Sequence, residues 1–230
     1  MADLSNWYEK LPKDLKQSQK NDKNFKKHFI KPRSMITCIG GTGSGKTNAL
    51  IDFLSRKDES FYKIILFNPV SNDEPLYNLI KKMLPEIEVY TDVNELPELA
   101  SYPDEENGEE KLIIFDDFIN LKPKEMKKIL PYFTGGRKKG FTCFAMAQNY
   151  TSIPKIITRN THYFIIFKLN DTHTIRSVLK NHNIENIPDD DFKRMYLDST
   201  KEPLNFFMVD LKGGAMTHLR HNFTGFYKLK

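Results

Sequence analysis

The sequence predicts an α/β fold in which a mainly parallel β-sheet is covered by helices on both faces. Three observations predict it. The chain has 230 residues, which is enough for one such domain with its own core. Strand-like runs alternate with helix-like segments along the chain. Several of these runs are apolar at consecutive positions, as strands buried on both faces are.

The elements follow from apolar periodicity and from Gly, Pro and Asn breaks. Strands are expected over residues 35–39, 63–67, 87–90, 111–115, 141–147, 162–168 and 204–209, with an antiparallel edge extension over residues 216–227. Helices are expected over residues 47–56, 75–83, 124–133, 172–181 and 188–197. Residues 1–33 read as a basic, mostly exposed N-terminal arm, and residues 34–230 as the α/β domain.

Composition excludes several classes of protein. Apolar residues make up 39% of the chain and charged residues 28%, so wholesale disorder is excluded. No apolar run approaches the roughly 20 residues that cross a bilayer, and no signal peptide is recognisable, so an integral membrane protein is not expected. Cys38 and Cys143 each lie in an apolar strand, which favours buried, reduced thiols over a disulfide or a zinc site.

Charge is segregated along the chain. The net charge is +5, yet residues 86–110 contain ten acidic residues and no Lys or Arg. A basic segment comes after them and contains Lys122, Lys124, Lys127, Lys128, Arg137, Lys138 and Lys139. Such a segment is suited to a polyanion such as DNA, although a merely solvated surface is the alternative.

A glycine-rich stretch directly follows the first predicted strand and precedes the first predicted helix. Its eight residues fit the pattern G-x-x-x-x-G-K-[ST] and are Gly40, Gly41, Thr42, Gly43, Ser44, Gly45, Lys46 and Thr47. Small residues let consecutive backbone N–H groups wrap around phosphate oxygens, and the positive end of the following helix adds to the attraction. Lys46 is therefore expected to contact the β- and γ-phosphates of ATP, and the Thr47 hydroxyl to bind Mg²⁺.

Polar side chains follow two other predicted strands. Asp116 and Asp117 end the strand over residues 111–115, and Gln148 ends the strand over residues 141–147. Since open parallel sheets bind ligands at the carboxyl ends of their strands, all three are candidate site residues. Asp116 is expected to hold Mg²⁺, mostly through water, and Asp117 to act as general base, with a helix cap or a plain loop residue as its alternative role. Gln148 is a candidate contact to the γ-phosphate or the attacking water, or simply the strand end.

With Lys46, Asp116, Asp117 and Gln148 in this order, the chain resembles the HerA/FtsK class of P-loop ATPases. Within that class it is most similar to the genome-packaging ATPases of double-jelly-roll viruses, which include poxviruses, giant viruses and virophages. Further similarity lies in residues 136–141, Ile153-Pro154 and Arg159-Asn160. In total the similarity covers about residues 35–181. Many members of the class have Glu where this chain has Asp117, whose side chain is one methylene shorter.

The resemblance implies strand order 5-1-4-3-2, which places the Gln148 strand between the strands that carry the glycine loop and Asp116. It makes Cys38 and Cys143 near neighbours. It also implies an ATP-driven, double-stranded DNA translocase that packages a viral genome into a preformed capsid, in the host cytoplasm, at viral factories, or in the virion. Such a motor is a pentameric or hexameric ring that binds DNA without sequence preference and docks at a capsid vertex or a membrane protein.

In such rings a neighbouring subunit supplies an arginine to the active site. Arg137 and Arg159 lie in the matched segments and are the candidates, the alternative roles being a surface ion pair or a DNA phosphate contact. Two other functions use the same glycine loop. One is a P-loop kinase acting on a small molecule, and the other is a nucleotide-gated binding or assembly protein without turnover.

Overall fold

A computed structural model describes residues 10, 23–57, 59–70, 75–104, 109–169, 173–182, 184, 187–213 and 218–228. Within these residues nine strands form one sheet. The strands are β1 Met35–Ile39, β2 Lys63–Phe67, β3 Glu88–Tyr90, β4 Lys111–Phe115, β5 Phe141–Ala147, β6 Tyr163–Ile166, β7 Phe207–Asp210, β8 Leu219–His221 and β9 Gly225–Phe226. The helices are α1 Lys46–Arg56, α2 Pro75–Met83, α3 Pro123–Gly135, α4 Lys155–Asn160, α5 His173–Asn181 and α6 Asp189–Ser199.

The order of strands in the sheet is β3-β2-β4-β5-β1-β6-β7-β8-β9. The first six strands of this order are parallel, and β7, β8 and β9 continue the sheet in antiparallel fashion. The five strands β6-β1-β5-β4-β2 correspond to the expected order 5-1-4-3-2. The α/β fold class, the mainly parallel sheet and the antiparallel C-terminal extension are therefore confirmed.

Helices cover both faces of the sheet, because apolar side chains of the central strands alternate between two cores. One core joins Ile113 and Phe115 of β4 to Tyr132 and Phe133 of α3, and it extends under α5 and α6. The other joins Leu112 and Ile114 of the same strand to residues of α1 and α2. Strands that bury both faces in this way explain the continuous apolar runs in the sequence.

Cys38 and Cys143 lie on adjacent strands but on opposite faces of the sheet. The register pairs Met35 with Cys143 and Cys38 with Met146, and each thiol belongs to a different core. Both are free and buried, and burial raises the pKa of both thiols. The expected proximity in the sheet therefore does not bring the two sulfur atoms face to face.

Several boundaries differ from the expectations. A short helix, α4, was not expected, and β6 is shorter than residues 162–168. The strand expected from residue 204 begins only at Phe207, because Leu204 has φ +66° and turns the chain before it. Parts of the expected helix from residue 172 and of the expected extension from residue 216 lie outside the described residues. No helix in the described part of the chain combines the length and apolar character needed to span a bilayer.

Residues 23–33 pack against the domain, which differs from the expectation of a mostly exposed arm. His28 and Ile30 are buried, and the Lys31 and Arg33 backbone N–H groups donate to Tyr163 Oη (3.0 Å) and Thr142 Oγ1 (3.0 Å). Residues 1–9 and 11–22 of the proposed arm lie outside the described residues. The division of the chain at residue 33 stays a prediction.

A buried ion pair ties this segment to the C-terminal strands. The Arg220 guanidinium on β8 pairs with Asp210 at the end of β7, and both side chains are almost fully buried. It also donates to the backbone carbonyls of His28 (3.1 Å) and Phe29 (3.2 Å). Burial raises the pKa of Asp210, and the charge of Arg220 opposes that rise. One guanidinium thus holds together two distant parts of the chain.

Replacing this guanidinium is expected to destabilise the fold strongly. Arg220→Met leaves the Asp210 carboxylate buried without its partner, which should lower the free energy of unfolding by about 3–5 kcal/mol in urea titrations. Arg194→Met is the control, because Arg194 forms an exposed pair with Asp191 (3.0 Å) and should change stability by less than about 1 kcal/mol. Equal stability of the two variants would contradict the assignment.

Candidate active site

The glycine loop connects β1 to α1 in a conformation that needs glycine. Gly43 has φ +73° and Gly45, the residue before α1, has φ +109°, both in the left-handed region. The Lys46 ammonium folds back over the loop and donates to the carbonyls of Gly40 (2.8 Å) and Gly41 (3.1 Å). The loop therefore presents the N-terminus of an 11-residue helix and a lysine on one side, as anion binding requires.

Close packing restricts the first glycine of the loop. The Gly40 N–H donates to the Ala147 carbonyl at the end of β5 (3.2 Å), so the loop begins beside Gln148. A side-chain carbon on Gly40 would come within 2.4 Å of Ser44 Oγ and 2.8 Å of Phe167 Cβ. Only glycine fits there without moving β6 or the loop.

Asp116 directly follows β4 and is buried, with hydrogen-bond donors around its carboxylate. Its Oδ1 accepts from the Asp117 N–H (3.0 Å), and its Oδ2 accepts from Asn68 Nδ2 (3.3 Å) and from the Tyr77 hydroxyl. These contacts stabilise the charged carboxylate and hold its plane in one orientation.

Asp117 follows in the left-handed region with φ +46°. It occupies the position before a short 3₁₀ turn, Phe118–Asn120, but its side chain makes no capping hydrogen bond. This geometry does not support the alternative role of a helix cap. The strained backbone turns Asp117 toward the same cleft as Asp116.

One cleft brings most of the candidate residues together. It is lined by Thr42, Gly43, Gly45, Lys46, Thr47, Asn48, Asn68, Val70, Leu76, Tyr77, Asp116, Asp117 and Gln148. The cleft lies at the carboxyl ends of β1, β4 and β5, where the parallel register aligns these ends. Gly40, Gly41 and Ser44 belong to the loop but do not line this cleft.

The charged groups of the cleft affect the pKa of a thiol in the core beneath it. Burial raises the pKa of the Cys38 thiol, the Lys46 ammonium opposes this rise, and the Asp116 carboxylate adds to it. Lys46 and Asp116 thus lie close enough to the end of β1 to act on the same group. Opposite charges on the two sides of the cleft suit a phosphate on one side and a cation on the other.

Asn68 and Tyr77 were not among the candidates from the sequence. Asn68 directly follows β2, which pairs with β4 so that Phe67 lies beside Phe115. Asn68 follows Phe67 of β2, and Asp116 follows Phe115 of β4. The pairing of these two strands therefore predicts that Asn68 lies beside Asp116. Tyr77 is on α2 and reaches Asp116 only through tertiary packing, for which the sequence contains no signal.

Arg137 and Arg159 lie away from this cleft. Arg137 precedes β5 and Arg159 precedes β6, so both are at the amino ends of the parallel strands. The seven residues of β5 separate Arg137 from Gln148, a span of roughly 20 Å. Both arginine side chains are exposed. Neither side chain lines the cleft.

The basic segment is divided between the two ends of α3. Lys124, Lys127 and Lys128 are near its start, at helical spacing on one face. Arg137, Lys138 and Lys139 follow its end, and Lys139 pairs with Asp104 (2.9 Å). Residues 129–136 between them contain no Lys or Arg and span about 12 Å along the helix, so the segment forms two basic groups rather than one.

Three solved structures of similar fold are described as an NTPase or as ATPases. The genome packaging NTPase B204 from Sulfolobus turreted icosahedral virus 2 is 14% identical with a TM-score of 0.56, over 80% of this chain and 94% of that one. The type VII secretion ATPase EccC of Thermomonospora curvata (cytoplasmic domain) is 13% identical with a TM-score of 0.54, over 80% of this chain and 25% of that one. EssC (ATPases 2 and 3) from Geobacillus thermodenitrificans is 14% identical with a TM-score of 0.52, over 77% of this chain and 38% of that one.

Sequence comparison identifies the family. No curated protein sequence matches the chain significantly. The family model described as "Poxvirus A32 protein" matches residues 21–196, which is most of the chain and includes the glycine loop, Asp116, Asp117 and Gln148. With this match and the fold of a P-loop ATPase, the chain belongs to the poxvirus A32 protein family.

Proposed function

We propose that this ATP-hydrolysing enzyme translocates double-stranded DNA and packages a viral genome into a preformed capsid. The observation that carries the proposal is the single cleft in which Lys46, Asp116, Asp117 and Gln148 meet. Family membership and the similarity to a viral genome packaging NTPase support it. The enzyme would act as a ring at a capsid vertex or membrane protein, in the host cytoplasm or the virion.

The roles of the residues follow from their positions. The loop N–H groups and the Lys46 ammonium bind the β- and γ-phosphates in place of the carbonyls that Lys46 contacts here. Gln148 orients the water that attacks the γ-phosphorus. Asp117 takes the proton of that water as the new P–O bond forms and the bond to the ADP oxygen breaks. The buried donors around Asp116 hold its carboxylate in a fixed orientation beside these groups.

The cleft also fits Mg²⁺. This cation prefers oxygen ligands, and it binds through one or two carboxylates together with phosphates and water. The Thr47 hydroxyl and the oriented carboxylate of Asp116 provide such a set in one cleft. When bound, Mg²⁺ would neutralise charge on the β- and γ-phosphate oxygens.

DNA contact is proposed for the exposed face of α3. Lys124 and Lys127 are exposed and lie one turn apart, while Ile129, Tyr132 and Phe133 on the opposite face are buried. Lysines on one helix face bind phosphates without reading bases, so the contact is non-specific. The helix begins shortly after Asp116 and Asp117, and this links the basic face to the site of hydrolysis.

The proposal is tested by measuring ATP hydrolysis with and without duplex DNA. We expect turnover to rise with DNA, to need no small acceptor molecule, and to fall with salt as counterions compete for the phosphates. Asp117→Asn should still bind ATP but lose about 100-fold or more in turnover, because Asn cannot accept the proton and tolerates the left-handed backbone.

Two controls separate this proposal from the alternatives. Lys46→Ala should lose ATP binding, and Lys124→Gln with Lys127→Gln should keep basal hydrolysis and lose its stimulation by DNA. A rate of hydrolysis that is identical with and without DNA would contradict the proposed DNA-translocating function. Tight ATP binding without turnover would favour a nucleotide-gated assembly protein instead.

Tyr77 is expected to position the metal-binding carboxylate. Tyr77→Phe keeps the buried ring and removes the hydroxyl that donates to Asp116. The Mg²⁺ concentration for half-maximal hydrolysis should rise about 10-fold, since a partner of a metal ligand is lost. Tyr62→Phe is the control, because the Tyr62 side chain is 74% exposed. An unchanged Mg²⁺ titration of Tyr77→Phe would exclude this role.

An arginine acting in trans is proposed for the amino-end edge of the sheet. Arg137 lies near His162 and Lys212 there, and burial together with the charges of Lys212 and Arg137 lowers the pKa of His162 to about 3. His162 is therefore neutral at pH 7 and does not add to the positive charge. The exposed guanidinium groups of Arg137 and Arg159 can bind an anion of another molecule, such as the γ-phosphate bound by a neighbouring subunit.

Mixing variants tests this role. Arg137→Ala or Arg159→Ala subunits keep an intact cleft, and Lys46→Ala subunits keep both arginines. If either arginine acts in trans, mixed rings should recover part of the hydrolysis that each variant alone has lost. Arg176→Ala, an exposed arginine on α5, is the control and should stay active alone. Failure of both mixtures to recover activity would refute the shared site.

A further inference from the structure

The amide of Gln148 is placed in the cleft by the backbone on either side of it. The side chain lines the cleft and is exposed, and within the described part of the chain no hydrogen bond to another residue holds it. On the N-terminal side, the Ala147 carbonyl accepts from the Gly40 N–H of the glycine loop (3.2 Å). The backbone on the C-terminal side therefore has to be fixed by something else.

Tyr150, two residues after Gln148, is the anchor on that side. Its side chain is only 7% exposed and belongs to the core under α5 and α6, where its ring centroid lies 6.0 Å from that of Phe164 on β6. The Ile153 N–H donates to the Tyr150 carbonyl (3.2 Å), so a tight turn begins at this residue. The chain thus leaves the sheet at Gln148 and is held again at Tyr150.

The Tyr150 hydroxyl joins this turn to the end of α5. Its oxygen accepts from Asn181 Nδ2 (3.4 Å) and lies 3.1 Å from His182 Nε2. The His182 ring is itself held, because its centroid lies 4.8 Å from that of Phe164. Burial lowers the pKa of His182, so the imidazole is neutral at pH 7 and its Nε2 can accept the hydroxyl proton.

These contacts form a short chain of hydrogen bonds with one direction. Asn181 donates to Tyr150, and Tyr150 donates to His182. Each polar group of this chain has a partner, and a satisfied network in a partly buried place holds its members in one arrangement. The turn that follows Gln148 is therefore tied to a helix on one face of the sheet.

We propose that Tyr150, held by Asn181 and His182, is a positioning residue that fixes the Gln148 amide where the attacking water is oriented. The inference rests on the proposed function, in which Gln148 orients that water. Tyr150 does not line the cleft, so it acts only through the backbone. Its effect is on turnover rather than on ATP binding, since the glycine loop and Lys46 bind the phosphates and a small misplacement of an orienting group slows the reaction.

The experiment measures kcat and the affinity for a non-hydrolysable ATP analogue in the full chain. Tyr150→Phe keeps the buried ring and removes the hydroxyl. It should lower kcat about 10-fold and leave the affinity for the analogue within about twofold, because one hydrogen bond of the anchor is lost. His182→Ala should have the same selective effect, whereas His182→Gln still offers an oxygen to the hydroxyl and should keep most of the turnover.

Tyr227→Phe is the matched control. The Tyr227 hydroxyl also makes two hydrogen bonds, with Ser199 Oγ (2.8 Å) and Asp198 Oδ2 (2.7 Å), but these lie at the end of α6 and not beside Gln148. This variant should change neither kcat nor the affinity. An equal loss of kcat in Tyr227→Phe and Tyr150→Phe would contradict a specific role for Tyr150.

A double-mutant cycle shows whether Tyr150 acts through Gln148. In a Gln148→Ala chain, adding Tyr150→Phe should change kcat by less than about twofold, because the group that it positions is already absent. The same loss in both backgrounds would overturn the inference, and so would an unchanged kcat in Tyr150→Phe alone. If Gln148→Ala kept full turnover, the proposed role of Gln148 would fail together with this inference. Loss of turnover in Gln148→Ala but not in Tyr150→Phe would refute the positioning role alone.

Discussion

The parallel pairing of β1, β4 and β5 is the constraint on which the rest of the structure depends. Ile39 pairs with Ala147, and Phe115 pairs with Ala145, so the three strands end at one edge. A slip of one residue in either register would move Asp116 or Gln148 by about 3.3 Å and turn its side chain to the other face. The glycine loop, the carboxylates and the amide share a cleft because the observed parallel register aligns the carboxyl ends of these strands.

The same strand order makes the two flanks of the loop different. The β5 side presents carboxyl and amide side chains, whereas the β6 side presents Leu204 and Phe167. The antiparallel strands β7, β8 and β9 are necessary for the second flank, since they attach the segment before β7 to the sheet. Arg220 of β8 pairs with Asp210 of β7 and donates to the backbone carbonyls of residues 28 and 29. The stability of the C-terminal strands and the shape of the second flank are therefore linked.

We propose different roles for the two edges of the sheet at which the parallel strands begin and end. The carboxyl-end edge has the opposite charges that a phosphate and a cation need, while the amino-end edge presents Arg137 and Arg159 to solvent. Under the proposal that Arg137 or Arg159 acts in trans, the amino-end edge of one subunit completes the cleft of a neighbour. This arrangement fits a ring, in which one subunit's amino-end edge approaches the next subunit's cleft.

The sequence by itself determined the fold class, the strand order through the family resemblance, and the five residues Lys46, Thr47, Asp116, Asp117 and Gln148 that meet in the cleft. Local patterns sufficed for the fold class and for the five residues, because apolar runs predict buried strands and the glycine loop, Asp116, Asp117 and Gln148 come after three of these strands. Only the tertiary structure decided that Tyr77 and Asn68 hold Asp116, that the two cysteines face opposite cores, that the basic segment splits in two, and that Tyr150 contacts the end of α5. These features depend on which surfaces of separate elements come into contact, and side-chain packing between distant segments leaves no periodic signal in the chain.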